Sequence, residues 1–324
     1  MLLDVRLDGE LSQVPGVVRE LEQAGVAGVF TYEGPSDPFL PLGAAAVSCG
    51  LDLYTNLAIA LPRSPMHLAY LTQDLQRASG GRFSLGLGSQ VKAHITRRFG
   101  STWESPVEQL REWVLAVRAI QSSWATGDPL SFEGRWTTHT YCPPLFVPPP
   151  APPAPILLGA LGPRMTAMAL EVADGLLVHP FCTQRSLTEL TGPMLAGARP
   201  GFTVIGQSVV GVYRDEVERA ASEQGVRTLI AFYASTPAYR PVLDVHGWGD
   251  LQLRLRNLTR EGRWEALPAA VPQEVVDAVA VLGTPAQVAA ALRLRFPTSD
   301  RVALSLPYAV SVDTLAELAA LAQG

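Results

Sequence analysis

The chain has 324 residues and a net charge of −5, with hydrophobic residues at 48% and charged residues at 17%. This acidic balance argues against nucleic acid as the main partner, and no apolar run approaches the ~20 residues that a membrane span needs. The three cysteines are well separated, which fits reduced thiols in a cytoplasmic protein better than a disulfide framework. The first residues show no signal-peptide pattern, so we expect a cytoplasmic location.

Short apolar runs and amphipathic stretches alternate along the chain. The apolar runs predict strands at 2–7, 26–31, 51–59, 83–88, 156–158, 175–178, 202–213 and 301–306. The amphipathic stretches predict helices at 14–24, 65–79, 106–124, 163–173, 285–295 and 311–322. This alternation favours a parallel sheet covered by helices. Eight strands are enough to close a barrel, so the predicted fold class is α/β, a (β/α)8 TIM barrel.

Two segments interrupt the alternation. Residues 127–155 hold nine prolines and little periodicity, which is typical of a lid or an insertion. A linker between domains is the other interpretation, but strands and helices resume after it. Residues 214–282 are predicted to be a largely helical insertion. We therefore predict a single barrel domain over 1–324 that carries these two insertions.

The stretch 82–90, RFSLGLGSQ, places small residues where a buried strand should end. Gly86, Gly88 and Ser89 would let a ligand lie close against backbone N–H groups. The alternative is a tight turn into a helix with no ligand, because a short glycine pattern is weak evidence. Downstream, Ser105 and Glu108 have the spacing of a capping box that opens the next helix.

A second turn, from Gly162 to Met165, predicts an anion site. Gly162 at the N-cap brings no side chain to satisfy the first N–H groups of the helix, and Pro163 has no N–H. The N–H groups of Arg164 and Met165 then point outward at the positive end of the helix dipole. This turn and the one at Ser89 could hold one phosphate between them, although a plain Gly-Pro helix start has the same pattern.

Three other side chains are candidates for the site. Glu33 follows the second strand, where it could orient substrate or move a proton, although it could also be a surface carboxylate. His179 stands at the end of a strand, and the five histidines show no metal spacing, so no metal is expected. Lys92 is the single lysine of the chain and lies just past the small-residue turn. It could receive the anionic part of a cofactor or simply lie on a solvated surface.

Several segments together resemble the luciferase-like monooxygenase superfamily, in its branch of F420-dependent oxidoreductases. The matching segments are 62–91 (PRSPMHLAYLTQDLQRASGGRFSLGLGSQV), 132–134, 155–175 and 283–285, and a narrower subgroup shares 88–100 and 231–249. The resemblance covers nearly the whole chain. Each motif is modest alone, but their order and spacing are specific.

The resemblance implies a bacterial luciferase-like barrel that binds coenzyme F420, or alternatively FMN, at the carboxyl ends of its strands. It also implies a non-proline cis peptide near Asn56 and Leu57, and Tyr32 and Glu33 where similar proteins have an acid–His pair. That difference leaves the proton donor open. The predicted catalytic residues are Glu33 and His179. The predicted cofactor-binding residues are Asn56, Leu57, Gly88, Ser89, Gln90, Lys92, Gly159, Ala160, Gly162, Pro163, Arg164 and Met165.

The resulting prediction is an F420-dependent oxidoreductase that transfers a hydride between the deazaflavin and a small organic substrate, with the chemistry supplied by the cofactor. An FMN-dependent monooxygenase of the same fold is the first alternative. A noncatalytic barrel that binds a flavin or F420 is the second, because the acid–His pair is missing. A homodimer is expected by analogy with similar proteins.

Overall fold

We describe the protein from a computed structural model, which describes residues 1–299 and 301–324. The strands are β1 (Leu2–Arg6), β2 (Gly28–Thr31), β3 (Asp52–Thr55), β4 (Ala58–Ile59), β5 (Phe83–Gly88), β6 (Phe132–Glu133), β7 (Thr138–His139), β8 (Ile156–Gly159), β9 (Gly175–Leu177), β10 (Thr203–Val212), β11 (Ala280–Gly283) and β12 (Arg301–Ser305). Each strand predicted from an apolar run is present, with small differences at its ends. The predicted strand 51–59 is divided into β3 and β4, because the chain bends at Asn56 and Leu57.

Eight parallel strands close into a barrel in the order β1, β2, β3, β5, β8, β9, β10 and β12, with β12 paired to β1. The short strand β4 continues β3 by pairing with β5. This arrangement confirms the predicted (β/α)8 TIM barrel. The barrel interior is filled by apolar side chains, so it is a packed core rather than a pore. Those side chains are Phe30, Tyr54, Leu157, Leu177, Ile205 and Ala303.

Helices cover the outside of the barrel. They are α1 (Val14–Gln23), α2 (Phe39–Ala46), α3 (Pro65–Ser79), α4 (Pro106–Thr126), α5 (Pro163–Val172), α6 (Gln184–Ser186), α7 (Gly192–Leu195), α8 (Glu216–Ser235), α9 (Arg240–Asp244), α10 (Gly249–Arg260), α11 (Gln273–Val279), α12 (Pro285–Arg295) and α13 (Val312–Gln323). None of the helices in the described residues combines the length and the apolar character that crossing a membrane would need.

The helix starts follow their sequence signals with one exception. At α12, Thr284 and Gln287 form a complete capping box. At α4, the predicted box is wrong, because the Ser105 side chain caps no N–H group. Glu108, its predicted partner, instead accepts a hydrogen bond from Arg164 at the start of α5 (2.8 Å). This ion pair between Glu108 and Arg164 links the first turns of α4 and α5.

The proline-rich segment packs along the outer faces of α3 and α4. Its hairpin, β6 and β7, is held by the Glu112 carboxylate, which accepts N–H groups from Trp136 and Thr137 at 2.8 Å. Further along, the Tyr70 hydroxyl of α3 donates to the Phe146 carbonyl oxygen (2.8 Å). These contacts hold the segment against the two helices, and we call residues 127–155 the outer strap.

The segment 214–282 is largely helical, and its last residues belong to a strand that the sequence analysis did not identify. Residues 280–283 form β11, which pairs with the last residues of β10. The reason is that β10 continues to Val212, past the level at which it pairs with β12, and so offers a free edge. A short apolar run beside such an edge is stabilised as a strand by the ladder hydrogen bonds.

A group of charged and polar side chains occupies the amino-terminal end of the barrel interior. We call it the floor cluster, and it consists of Asp4, Asp52, Tyr54 and Arg301. The Tyr54 hydroxyl donates to Asp4 Oδ2 (2.9 Å), and Arg301 makes ion pairs with both aspartates. Gly28 leaves the room for this pairing, because a Cβ there would lie 2.8 Å from Asp4 Oδ1. Burial raises the pKa of Asp4 to about 6, although Arg301 opposes the shift.

Candidate active site

The carboxyl ends of the barrel strands form a mouth, where ligands bind in this type of fold. Strands β5 and β8 are neighbours, with Leu87 opposite Leu158. The two small-residue turns, which begin at Ser89 and Ala160, therefore lie side by side at this mouth. The structure thus brings the two predicted anion-binding turns to adjacent positions.

The turn before α5 has the predicted geometry. Gly162 is the N-cap and has φ +84° and ψ 161°, a backbone conformation that is essentially restricted to glycine. The Thr166 N–H donates to the Gly162 carbonyl oxygen (3.1 Å), which closes the first helical turn. Within residues 1–299 and 301–324, no group accepts the N–H of Arg164 or Met165. Two donors are therefore available to an anion at the positive end of α5.

The turn after β5 keeps a left-handed backbone without using glycine. Gln90 has φ +60°, and its side chain accepts the Val91 N–H (3.0 Å). The neighbouring Ser89 hydroxyl donates to the Gln90 carbonyl oxygen (3.3 Å). The Gln90 side chain thus supplies the acceptor for the Val91 N–H, a group that the left-handed turn leaves without a backbone partner.

Two of the predicted cofactor contacts, Gly88 and Gly159, have a different neighbour. A Cβ at Gly88 would lie 2.7 Å from the Leu57 side chain, and one at Gly159 would lie 2.3 Å from it. The missing side chains of both glycines thus make room for Leu57. Contact between these glycines or Ala160 and a ligand stays a prediction.

The bend between β3 and β4 contains the implied cis peptide, which joins Asn56 to Leu57. The Asn56 amide donates to Gln207 Oε1 (3.1 Å), and Gln207 Nε2 donates to Ser305 Oγ (2.9 Å). This chain of hydrogen bonds crosses the barrel just below the mouth. Sequence analysis missed Gln207 and Ser305, although polar residues inside predicted apolar strands are a signal that could have found them.

Glu33 is engaged in an ion pair. Its Oε2 atom accepts from Arg63 Nη1 (2.5 Å) and from the Ile59 N–H (2.7 Å), while its own N–H donates to the Leu57 carbonyl oxygen (3.0 Å). Its side chain is only 6% exposed. The carboxylate therefore braces the bend between β3 and β4, and its catalytic role stays a prediction. Arg63 was not identified from the sequence.

His179 lies in an aromatic setting that sequence analysis missed. Its ring lies 4.2 Å from the Tyr239 ring and 4.9 Å from the Tyr233 ring, measured between centroids. The Phe181 N–H donates to His179 Nδ1 (3.1 Å). Burial lowers the pKa of His179 to about 3, so the ring is neutral at physiological pH. The tyrosines lie in the segment 231–249 that the resemblance singled out.

The charged side chains beside the turns are exposed. Lys92 lies on the surface before a π-helical turn, His94–Arg98. The Arg164 side chain is 77% exposed and pairs with Glu108, so its backbone N–H rather than its guanidinium lies in the anion-binding turn. Within the described part of the chain, no group of three or more His, Cys, Asp or Glu residues is arranged to hold a metal ion.

Fold and site together define a TIM barrel whose mouth offers backbone donors after β8 and aromatic side chains near the end of the neighbouring strand β9. The family model of luciferase-like monooxygenases matches residues 4–297. The chain therefore belongs to the luciferase-like monooxygenase family and is an oxidoreductase.

Relatives and a solved structure support this assignment. An uncharacterised protein of Mycobacterium tuberculosis (strain ATCC 25618 / H37Rv) is 42% identical over 303 residues, which cover 90% of this chain and 89% of the relative. A putative coenzyme F420-dependent oxidoreductase of the same strain is 28% identical over 295 residues, 82% of each chain. The F420-dependent tetrahydromethanopterin reductase of Methanopyrus kandleri superposes with a TM-score of 0.79 at 18% identity, covering 98% of this chain and 97% of that one.

Proposed function

We propose that this chain is an F420-dependent oxidoreductase that transfers a hydride between the deazaflavin and a small organic substrate. The observation that carries the proposal is the pair of adjacent turns at the mouth. The unpaired N–H groups of Arg164 and Met165 fit a phosphate, because a helix N-terminus binds anions with backbone donors and with its dipole. The F420-dependent relatives favour the deazaflavin over other phosphorylated cofactors.

In this proposal each side of the mouth has its own task. The turns at Ser89 and Gly162 hold the phosphate, and Lys92 adds a positive charge nearby. The bound deazaflavin supplies the hydride chemistry. Glu33 and Arg63 act as positioning residues, because their ion pair fixes the bend that carries Asn56. His179 acts as a neutral hydrogen-bond donor rather than as an acid, since its ring is uncharged.

An FMN-dependent monooxygenase is the second candidate, because the matching family is described as luciferase-like monooxygenases. The phosphate of FMN would use the same two turns, so their geometry does not separate the two cofactors. Titration of the purified protein with F420 and with FMN separates them, with calorimetry as the measurement. We expect F420 to bind at least tenfold more tightly. Tighter binding of FMN would overturn the proposed cofactor, and tight binding with no turnover of any substrate would favour the noncatalytic barrel.

A glycine variant tests whether the turn holds the cofactor. Gly162→Ala should weaken cofactor binding by at least tenfold, because alanine cannot adopt the conformation at this position without about 1–3 kcal/mol of strain. Gly127→Ala is the matched control: Gly127 also has a positive φ (+79°) and open space around it, but it ends α4 far from the turn. Equal loss of affinity in both variants would show that the turn is not the binding site.

Two further predictions concern assembly and location. We propose that the protein forms a homodimer and acts in the cytoplasm on a small-molecule substrate. Sedimentation velocity of the purified protein tests the first of these, with a mass of twice 34.7 kDa as the expected result. Fractionation of the producing cells tests the second.

A further inference from the structure

The aromatic side of the mouth is a separate surface with its own chemistry. We call it the aromatic recess and define it by Arg6, Tyr32, His179, Tyr233 and Tyr239. Tyr233 and Tyr239 meet edge to face with ring centroids 5.7 Å apart, and both contact the His179 ring. Arg6 lies over the Tyr32 ring, with its guanidinium carbon 5.4 Å from the centroid. Beyond the effect of burial, Arg6 lowers and Tyr32 raises the pKa of Tyr233, so both lie near its hydroxyl. The recess thus joins the ends of β1, β2 and β9 to helix α8 and the turn after it.

The polar atoms of the recess are donors. His179 Nδ1 already accepts the Phe181 N–H, and the ring is neutral, so its proton resides on Nε2. In the part of the chain that the structure describes, no group accepts a hydrogen bond from Nε2 or from the hydroxyls of Tyr233 and Tyr239. Burial raises the pKa of Tyr239 to about 12 and that of Tyr233 further, so both phenols keep their protons. Three neutral donors therefore lie together without an acceptor.

The recess has little free charge. Arg6 donates through Nε to both carboxylate oxygens of Asp8, at 2.8 and 2.6 Å, and its charge is balanced by that pair. Neutral donors beside a balanced ion pair favour a neutral acceptor, because a carboxylate would lose hydration in the recess without gaining an unpaired cation. The ring faces of Tyr233 and Tyr239 favour a planar apolar body.

We propose that the aromatic recess binds the substrate, and that the substrate is a planar, neutral organic compound whose carbonyl oxygen accepts from Tyr233. This inference deepens the function proposed above and rests on it. Tyr233 is the chosen donor because its ring contacts both other donors of the recess, with centroid distances of 4.9 Å to His179 and 5.7 Å to Tyr239. The neighbouring donors on Tyr239 and His179 would complete the contact with the second lone pair of the oxygen.

Three probes of one shape test the substrate class. They are 2-acetylnaphthalene, a neutral ketone; 2-naphthoate, its anionic counterpart; and 2-isopropenylnaphthalene, which has a CH₂ group in place of the oxygen. Calorimetric titration of the protein should show the ketone binding about tenfold more tightly than the hydrocarbon, as one or two net hydrogen bonds would give. The ketone should also bind more tightly than the naphthoate. Tightest binding of the naphthoate, or equal binding of all three, would overturn the proposal.

The variant Tyr233→Phe locates the contact. It should reduce the advantage of the ketone over the hydrocarbon from about tenfold to about threefold and leave the affinity for the hydrocarbon unchanged, because one hydroxyl donor is lost while those of Tyr239 and His179 remain. Tyr141→Phe is the matched control, since Tyr141 is 80% exposed on the outer strap. An unchanged preference for the ketone in Tyr233→Phe would overturn the role of Tyr233, and circular dichroism of each variant checks that it is folded.

The same titrations are run on the protein alone and on protein saturated with the cofactor that it binds. Ketone binding with no binding of F420 or FMN would leave the recess standing and overturn the proposed function. Cofactor binding with no ketone binding in either form would overturn the recess and leave the proposed function standing. The two proposals therefore fail in different experiments.

Discussion

The two ends of the barrel differ in what their polar groups bind. In the floor cluster, Asp4, Tyr54 and Arg301 are bound to one another, although Asp4 Oδ1, 3.3 Å from Arg301 Nη1, makes no hydrogen bond. At the mouth, backbone donors at α5 and side-chain donors in the aromatic recess have no acceptor within the described residues. The side-chain donors of the recess are not fully buried, so water satisfies them until a ligand takes its place.

This difference separates an end whose polar groups bind one another from an end whose donors face solvent. Pairing within the floor cluster offsets only part of the cost of taking charges out of water, because burial still raises the pKa of Asp4. The mouth gives up such pairing and keeps its donors available. Glu33 lies at the mouth but resembles the side chains of the floor cluster, because its carboxylate is already paired with Arg63. Position at the mouth is therefore weaker evidence for a binding role than a donor at the mouth that no protein group accepts.

The largest effect is expected from breaking the floor cluster. Arg301→Met should lower the free energy of unfolding by about 3–5 kcal/mol at pH 7, because it leaves Asp4 buried without its cation. Urea denaturation measures this loss, and affinity for the cofactor should stay unchanged. Arg77→Met is the control, since its ion pair with Asp74 is long and exposed, and it should change stability by less than about 0.5 kcal/mol. A similar small loss in both variants would contradict the pairing.

The next largest effect is a pH dependence of stability that originates in the floor. The pKa of Asp4 is raised to about 6 in the folded state, so the folded protein binds more protons than the unfolded chain between about pH 4 and 6. This group therefore lowers the free energy of unfolding as pH rises through that window, by about 1.4 kcal/mol per pH unit. Relative to wild type, Asp4→Asn should gain stability as pH rises from 4.5 to about 6, in urea titrations at several pH values.

At the mouth, we expect the pH dependence of the free energy of unfolding to have the opposite sign. The pKa of His179 is lowered to about 3, so the unfolded chain binds more protons between about pH 3 and 6.5. Neutral His179 thus contributes stability that is lost as pH falls. Relative to wild type, His179→Asn should lose stability as pH rises from 4.5 to about 6.5. The asparagine keeps an acceptor for the Phe181 N–H. Equal slopes in wild type and both variants would contradict the two protonation states.

Sequence patterns predicted most of the barrel because its strands and helices are encoded locally. The apolar runs fixed the eight barrel strands, and Gly162 with Pro163 marked the start of α5. β11 could not be predicted, because its stability depends on an edge of β10 that is distant in the chain. The absence of the capping box at Ser105 could not be predicted either, because Glu108 pairs with Arg164 from another helix.

The parts of the site that backbone geometry forms could be predicted from the sequence. The parts formed by contacts between distant side chains could be predicted less well. The backbone geometry of the predicted anion-binding turn follows from residues 162–165 alone. The partners of Glu33 and His179 come from other elements: Arg63 precedes α3, and Tyr233 and Tyr239 lie in the helical insertion. The spacing of these residues in the sequence does not show that they are neighbours, because they meet only when the barrel closes.

A smaller effect is expected where Leu57 fills the space above Gly88 and Gly159. Gly159→Ala should lower the free energy of unfolding by about 1–3 kcal/mol, because its Cβ would overlap Leu57. Leu57→Ala in the same chain removes the overlap, so the double variant should be more stable than the sum of the single changes predicts, by about 1 kcal/mol or more. Gly197→Ala, with nothing within 4 Å, is the control. Strictly additive losses would show that Leu57 can move aside.

The smallest effect is expected from the surface charge beside the anion-binding turns. Lys92 is exposed, and exposed charges contribute about 0.2–1 kcal/mol, so Lys92→Gln should weaken binding of the phosphorylated cofactor by about twofold to fivefold at low salt. The loss should fade at high salt, because ions screen an exposed charge. Arg164→Gln should change the affinity less, since Glu108 already pairs with that guanidinium. Dissociation constants at two salt concentrations separate these outcomes. A salt-independent loss above tenfold for Lys92→Gln would mean that the ligand excludes water from this lysine, and the mouth would then bind its anion through a side chain as well as through the backbone of α5.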